Sequence, residues 1–91
     1  MDTKPQLEFQ RLPVVLERHG VSRSLHLLEI TRGRFTPAVK IGRCALWPKH
    51  EVDALLAAKV NGATNEQLET LVTDLMAQRK ALMPASIRGA A

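Results

Sequence analysis

The 91-residue sequence holds one cysteine, no tyrosine and only three aromatic residues, Phe9, Phe35 and Trp47. A lone Cys44 excludes an intramolecular disulfide and a multi-cysteine zinc site, and beside Ala45 it reads as a small core residue. With so few rings, the core must be built from Leu, Val, Ile and Ala. The three histidines, His19, His26 and His50, lack the spacing of metal ligands, so no metal or other cofactor is expected. There is no paired carboxylate, no glycine-rich phosphate loop and no nucleophile beside a base, so no enzyme chemistry is expected. No basic stretch leads into an apolar run at the N-terminus, and no apolar segment approaches the ~20 residues that cross a bilayer. The expectation is a soluble protein in a reducing, cytoplasmic setting with no membrane partner.

What the chain does have is positive charge, unevenly spread. The formal net charge is +4. Between Arg11 and Lys49, eight basic residues face two acids, a net +6; from His50 to Met83, three face five, a net −2. A basic first half suits a polyanionic partner, and a mildly acidic second half suits packing or protein contacts. The length allows one small domain, and a chain of this size buries only roughly 60% of its unfolded surface. A second copy or a ligand would therefore add materially to its stability.

Residues 1–10 are polar, contain Pro5 and read as a loose N-terminal arm, from which Leu7 and Phe9 could tuck onto the domain. Leu12 to His19 reads as a short helix, with Pro13 in its first turn, Leu12, Val15 and Leu16 on one face, and Gly20 at its end. Ser22 is a natural N-cap for a second helix running from about Arg23 to Arg32 and stopping at Gly33. Two helices joined through Gly20 and Val21 form the pattern of a helix-turn-helix. Val39 to Ile41 and Cys44 to Leu46 read as short strands joined by a two-residue turn, Gly42-Arg43. Trp47-Pro48 opens a third helix with an apolar stripe of Val52, Leu55, Leu56 and Val60, with Glu51 and Asp53 suited to its early turns and a stop at Asn61-Gly62. A capping box, Thr64 to Gln67, opens a fourth helix that reaches about Met83, with Pro84 ending it. Residues 84–91 lack periodicity and are expected to be a flexible tail. The fold class is thus mostly α with a small β-hairpin.

This order of elements, with Gly20-Val21-Ser22-Arg23-Ser24, Gly33-Arg34-Phe35, Val39-Lys40-Ile41-Gly42-Arg43, Trp47 and Glu51-Val52-Asp53, resembles the AlpA-type phage regulatory proteins. These are relatives of phage excisionases and of MerR-type DNA-binding domains. The resemblance covers about Leu12 to Leu56. It implies a winged helix-turn-helix over residues 11–60, with the helix of 61–83 added for packing or oligomerisation. It implies a regulator of integrase or excision genes, or an excisionase that bends attachment-site DNA, with double-stranded DNA, further copies of the chain and an integrase as partners. Where that family commonly has Thr-Ile-Tyr-Arg after Ser-Arg-Ser, this chain has Leu25, His26, Leu27 and Leu28, and Thr36 separates Phe35 from the proline that usually follows it.

Candidate DNA contacts follow from residue type and place. Ser22, Arg23 and Ser24 cluster at a helix N-terminus, where unpaired N–H groups favour a phosphate, and Arg23 could instead reach a guanine edge. Arg43 at the hairpin tip suits a narrow minor groove, with Lys40 and Arg34 flanking it for phosphates. Leu25, Leu28 and Ile30, with Leu27, make the expected core face of the second helix; in other rotations Leu27 is exposed and could meet a thymine methyl. His26 could donate to DNA or sit partly buried. Trp47 is expected to anchor the core. A rival reading is a protein-interaction module on the same fold, for which the apolar run from Leu25 to Leu28 is the main support.

Overall fold

The computed structural model describes residues 7–83 and residue 86. The first six residues of the expected arm, and the expected tail apart from Ser86, lie outside the described residues. Among the described residues, four helices and a three-stranded antiparallel sheet make a small, mostly helical α/β domain. In chain order these are β1 (Phe9–Arg11), α1 (Leu12–His19), α2 (Arg23–Thr31), β2 (Val39–Ile41), β3 (Cys44–Pro48), α3 (Lys49–Val60) and α4 (Asn65–Ala81). Among the described residues, no helix is long and apolar enough to cross a membrane.

The sheet order is β1-β3-β2, so β3 is central. β2 and β3 pair as a hairpin that closes at Ile41 opposite Cys44. Gly42 takes φ 60°, the positive first central angle that a two-residue II′ turn demands. β1 is a departure from the sequence reading: Phe9 and Gln10, expected in the arm, form an edge strand with Arg11, which puts Arg11 opposite Leu46 and Phe9 opposite Pro48. Its partner is more than 30 residues away along the chain, so no local signal announces it. The Lys49 amide also donates to the Glu8 carbonyl at 2.7 Å, extending that edge.

Because side chains alternate across a strand, Ala45 and Trp47 share one face of the sheet with Lys40 and Gln10. Trp47 is buried there, and its indole N–H donates to the Thr36 carbonyl at 2.8 Å. The core joins Trp47 to Val15, Phe35, Val52, Leu55, Leu68, Val72 and Leu75. α4 therefore packs back onto its own domain through Leu68, Val72 and Leu75, spaced at three and four residues.

Local chemistry fixes the helix ends. Pro13 sits in the first turn of α1, and Gly20 closes that helix in the left-handed conformation. At the end of α2, the Gly33 amide donates to the Ile30 carbonyl and the Arg34 amide to the Glu29 carbonyl, a Schellman pair made possible by φ 76° at Gly33. At α4, Thr64 and Gln67 exchange side-chain and backbone hydrogen bonds at 3.1 and 2.8 Å, completing the capping box.

Glu51 behaves differently from its sequence reading. It lies in the first turn of α3 yet is fully buried, so it serves an ion pair more than the helix dipole. Arg79 of α4 grips both its oxygens, at 2.7 Å from Nε and 2.6 Å from Nη2. The same Nη2 donates to the Pro37 carbonyl at 2.8 Å. One guanidinium thus ties α3, α4 and the segment before β2 together.

Candidate nucleic-acid interface

The cations of this chain fall into two groups. Arg18 bonds Asp53 at 2.5 Å and Gln10 at 2.8 Å, and Lys49 reaches the other oxygen of Asp53 at 3.0 Å. The Arg18 hydrogen bond, with that of Lys49, holds the Asp53 carboxyl below its ordinary range. Lys59 is paired with Glu29, and Arg79 with Glu51. Arg34, an expected phosphate contact, is half-buried and bonded to Glu69 of α4 at 3.3 Å. Its position after the Schellman turn aims it at α4. By contrast Arg11, Arg23, Arg32, Lys40, Arg43 and, at the end of α4, Lys80 are exposed and form no ion pair with the described residues. Sequence reasoning passed over Arg11 and Arg32; the signal for Arg32 was its place at the C-cap of α2.

Ser22 caps α2 as expected, its hydroxyl accepting from the Leu25 amide at 3.1 Å. Ser22, Arg23 and Ser24 are all exposed at this N-terminus. Arg43 sits exposed in the hairpin turn, and Lys40 is exposed on β2.

The rotation of α2 overturns two expectations. His26 is fully buried, so it is not available to DNA. Leu25, Leu27 and Leu28 are not the core face: they are 43%, 43% and 40% exposed. The inner face is instead His26 with the partly buried Ile30, one turn apart. The His26 ring meets Phe35 and Trp47 edge-on, with centroids 4.7 and 5.3 Å away. Through His26, α2 therefore meets Trp47 of β3.

A hydrogen-bonded relay makes this burial tolerable. Lys59 Nζ of α3 donates to Glu29 Oε1 at 2.7 Å and reaches His19 Nε2 of α1 at 2.9 Å. An ammonium has only protons to give, so His19 Nε2 accepts and the His19 proton sits on Nδ1. That Nδ1 lies 3.0 Å from His26 Nδ1, which must then accept. The His26 proton is left on Nε2, buried without a hydrogen-bond partner. The relay Glu29–Lys59–His19–His26 thus links α1, α2 and α3 with one orientation for every proton. Both imidazoles are held neutral. Burial, then Lys59, then His26 lower the His19 pKa to about 4, against an opposing pull from Glu29. Burial and then Lys59 lower that of His26. Burial pushes the Glu29 carboxyl up, but the hydrogen bond and charge of Lys59 outweigh it and leave it below its ordinary value. The two histidines are seven residues apart across the α1–α2 turn, and only tertiary packing reveals them as a pair.

The outer face of α2 is the reverse of this. Ser24, Leu27, Leu28 and Thr31 share it by their spacing of three, four and seven residues. The Thr31 hydroxyl donates to the Leu27 carbonyl at 3.1 Å, inside the helix. The one acid of α2, Glu29, is turned away and neutralised by Lys59. The result is an uncharged, acid-free strip with an arginine at each end, Arg23 and Arg32, neither in an ion pair with the described residues. Among the described residues, no group of three or more His, Cys, Asp or Glu side chains could hold a metal ion. Comparison with known proteins returns no match to a protein-family model, to a curated protein or to a solved structure.

Proposed function

We propose that this chain is a non-enzymatic, sequence-specific DNA-binding protein of winged helix-turn-helix type, with α2 as the recognition helix and the β2–β3 hairpin as the wing. The observation that carries this reading is the division of the cations. Toward α3 and α4, Arg18, Arg34, Lys49, Lys59 and Arg79 are held in ion pairs and Lys80 alone is not, while Arg23, Arg32, Lys40 and Arg43 on α2 and the hairpin are all exposed with no ion pair to the described residues. An isolated surface cation loses little by staying solvated, but the four on α2 and the hairpin together supply positive charge that a phosphate backbone would neutralise. The capped N-terminus of α2, with Ser22 and Ser24, adds backbone N–H groups for one phosphate. On the resemblance to AlpA-type proteins, the role is regulation of a mobile element, at an integrase-type promoter or at an attachment site. A single domain of this size touches few base pairs, so two or more copies would share a site.

The test is selection of bound sequences from a pool of random duplexes by the full chain, followed by a salt titration on the winning site. A defined motif is expected, with affinity falling steeply as salt rises through counterion release. Four phosphate contacts correspond to a slope of roughly −3.6 in log K against log salt. No enriched motif and no salt dependence would contradict the reading. A second reading, an adaptor whose α2 docks on another protein, is favoured by the exposed leucines alone. A stable hetero-complex with weak, sequence-indifferent DNA binding would support it.

A further inference from the structure

We infer that Leu27 and Leu28 are the specificity-determining residues of α2 and that they read the C5-methyl groups of thymine in the major groove. This rests on the DNA-binding reading above and goes beyond it by naming the base.

The argument is one of elimination on the outer face of α2. Hydrogen-bond readout in the major groove uses Arg or Lys for guanine, Asn or Gln for adenine, and Asp or Glu for cytosine. Between Arg23 and Arg32 the helix offers none of these to the groove. His26 is buried, and its Nδ1 is engaged by His19. Glu29 is held by Lys59 at 2.7 Å. The Thr31 hydroxyl donates its one hydrogen bond to the Leu27 carbonyl and keeps only acceptor capacity. Ser24 remains, and a serine hydroxyl discriminates poorly because it both donates and accepts. What the strip does present is Leu27 and Leu28, each about two-fifths exposed.

The thymine methyl is the one apolar group on any base edge in that groove, so it is the feature an apolar strip can distinguish. The charge pattern favours a nucleic acid over a protein as the occupant. Arg23 and Arg32 bracket the strip, both exposed and unpaired among the described residues, and no acid lies on its outer face. A groove offers methyls along its floor and phosphates along both rims, which matches leucines flanked by guanidiniums.

The experiment uses the full chain and the duplex obtained by selection, made with thymidine and again with deoxyuridine, which lacks only the methyl. Fluorescence anisotropy on both duplexes is run for the wild type and for the Leu27→Ala/Leu28→Ala variant, with circular dichroism to verify its fold. For the wild type, each lost contact should weaken binding by about fourfold, the size expected for one buried methyl-sized group. The variant should bind both duplexes equally. Equal wild-type affinity for the two duplexes overturns the inference while leaving DNA binding intact. Failure to bind any duplex overturns both. Loss of self-association or of a protein partner in the leucine variant, with unchanged response to deoxyuridine, assigns the strip to a protein contact and also overturns it.

Discussion

The Glu51–Arg79 clamp and the Glu29–Lys59–His19–His26 relay both bring charge into the interior, but they do so by different chemistry. The clamp joins α3 to α4 with a guanidinium fork that grips both oxygens of a fully buried carboxylate. The relay joins α2 to α1 and α3 through two imidazoles that must both stay neutral. The side bearing the proposed recognition helix is fastened by groups that acid can undo.

Breaking the clamp should produce the largest effect. Arg79→Met leaves a buried carboxylate without its partner and is expected to cost about 3–5 kcal/mol in denaturant unfolding. Adding Glu51→Met removes the orphaned charge, and the double variant should regain most of that loss. If Arg79→Met alone unfolds at the wild-type midpoint, the clamp is not what joins α3 to α4.

Next in size is the loss of DNA affinity on removing a free cation. Arg23→Ala is expected to weaken duplex binding about equally across sequences and to flatten the salt slope by roughly 1, as the loss of one phosphate contact does. Arg34→Ala, taken from the paired group, should change duplex binding little, and its surface ion pair with Glu69 should be worth about 0–1 kcal/mol of stability. Equal binding losses in the two variants would erase the distinction between paired and free cations.

The relay makes stability depend on pH in a defined direction. His19 has a folded pKa of about 4 against 6.5 for the ordinary group, so between those values the unfolded chain binds more protons. Stability from this group is complete above about pH 6.5 and falls as pH drops toward 4. Glu29 and Asp53, both held below their ordinary values, add losses of the same sign at lower pH. His19→Gln keeps one acceptor and one donor but cannot titrate, so it should flatten the pH 6.5–4 limb of thermal unfolding. An unchanged limb would sever the relay from acid sensitivity. At α4, Thr64→Ala removes one side of the capping box and should cost ~1 kcal/mol.

Elements set by short-range backbone chemistry were legible in the sequence. Ser22 before α2, Gly33 after it, Gly42-Arg43 in the hairpin and Thr64 with Gln67 at α4 each act within four residues of the feature they determine. Elements set by distant partners were not. β1 is three residues long and exists through its pairing with β3. The rotation of α2 was missed for a related reason. Apolar spacing favoured Leu25 and Leu28 for the interior, yet His26 takes that place because His19, Phe35 and Trp47 supply a hydrogen bond and ring contacts that no local pattern encodes. Of the expected contacts, Ser22, Arg23, Ser24, Leu27, Lys40 and Arg43 are exposed, while His26 is sealed in the core and Arg34 is spent on Glu69.

The most direct measurement is duplex affinity as a function of salt for the full chain and for its Arg23→Ala/Arg43→Ala variant. The account expects the variant to bind more weakly and its log K against log salt to flatten by roughly 2, one unit for each lost phosphate contact. Identical affinities and identical slopes for the two proteins would contradict a nucleic-acid surface formed by α2 and the hairpin.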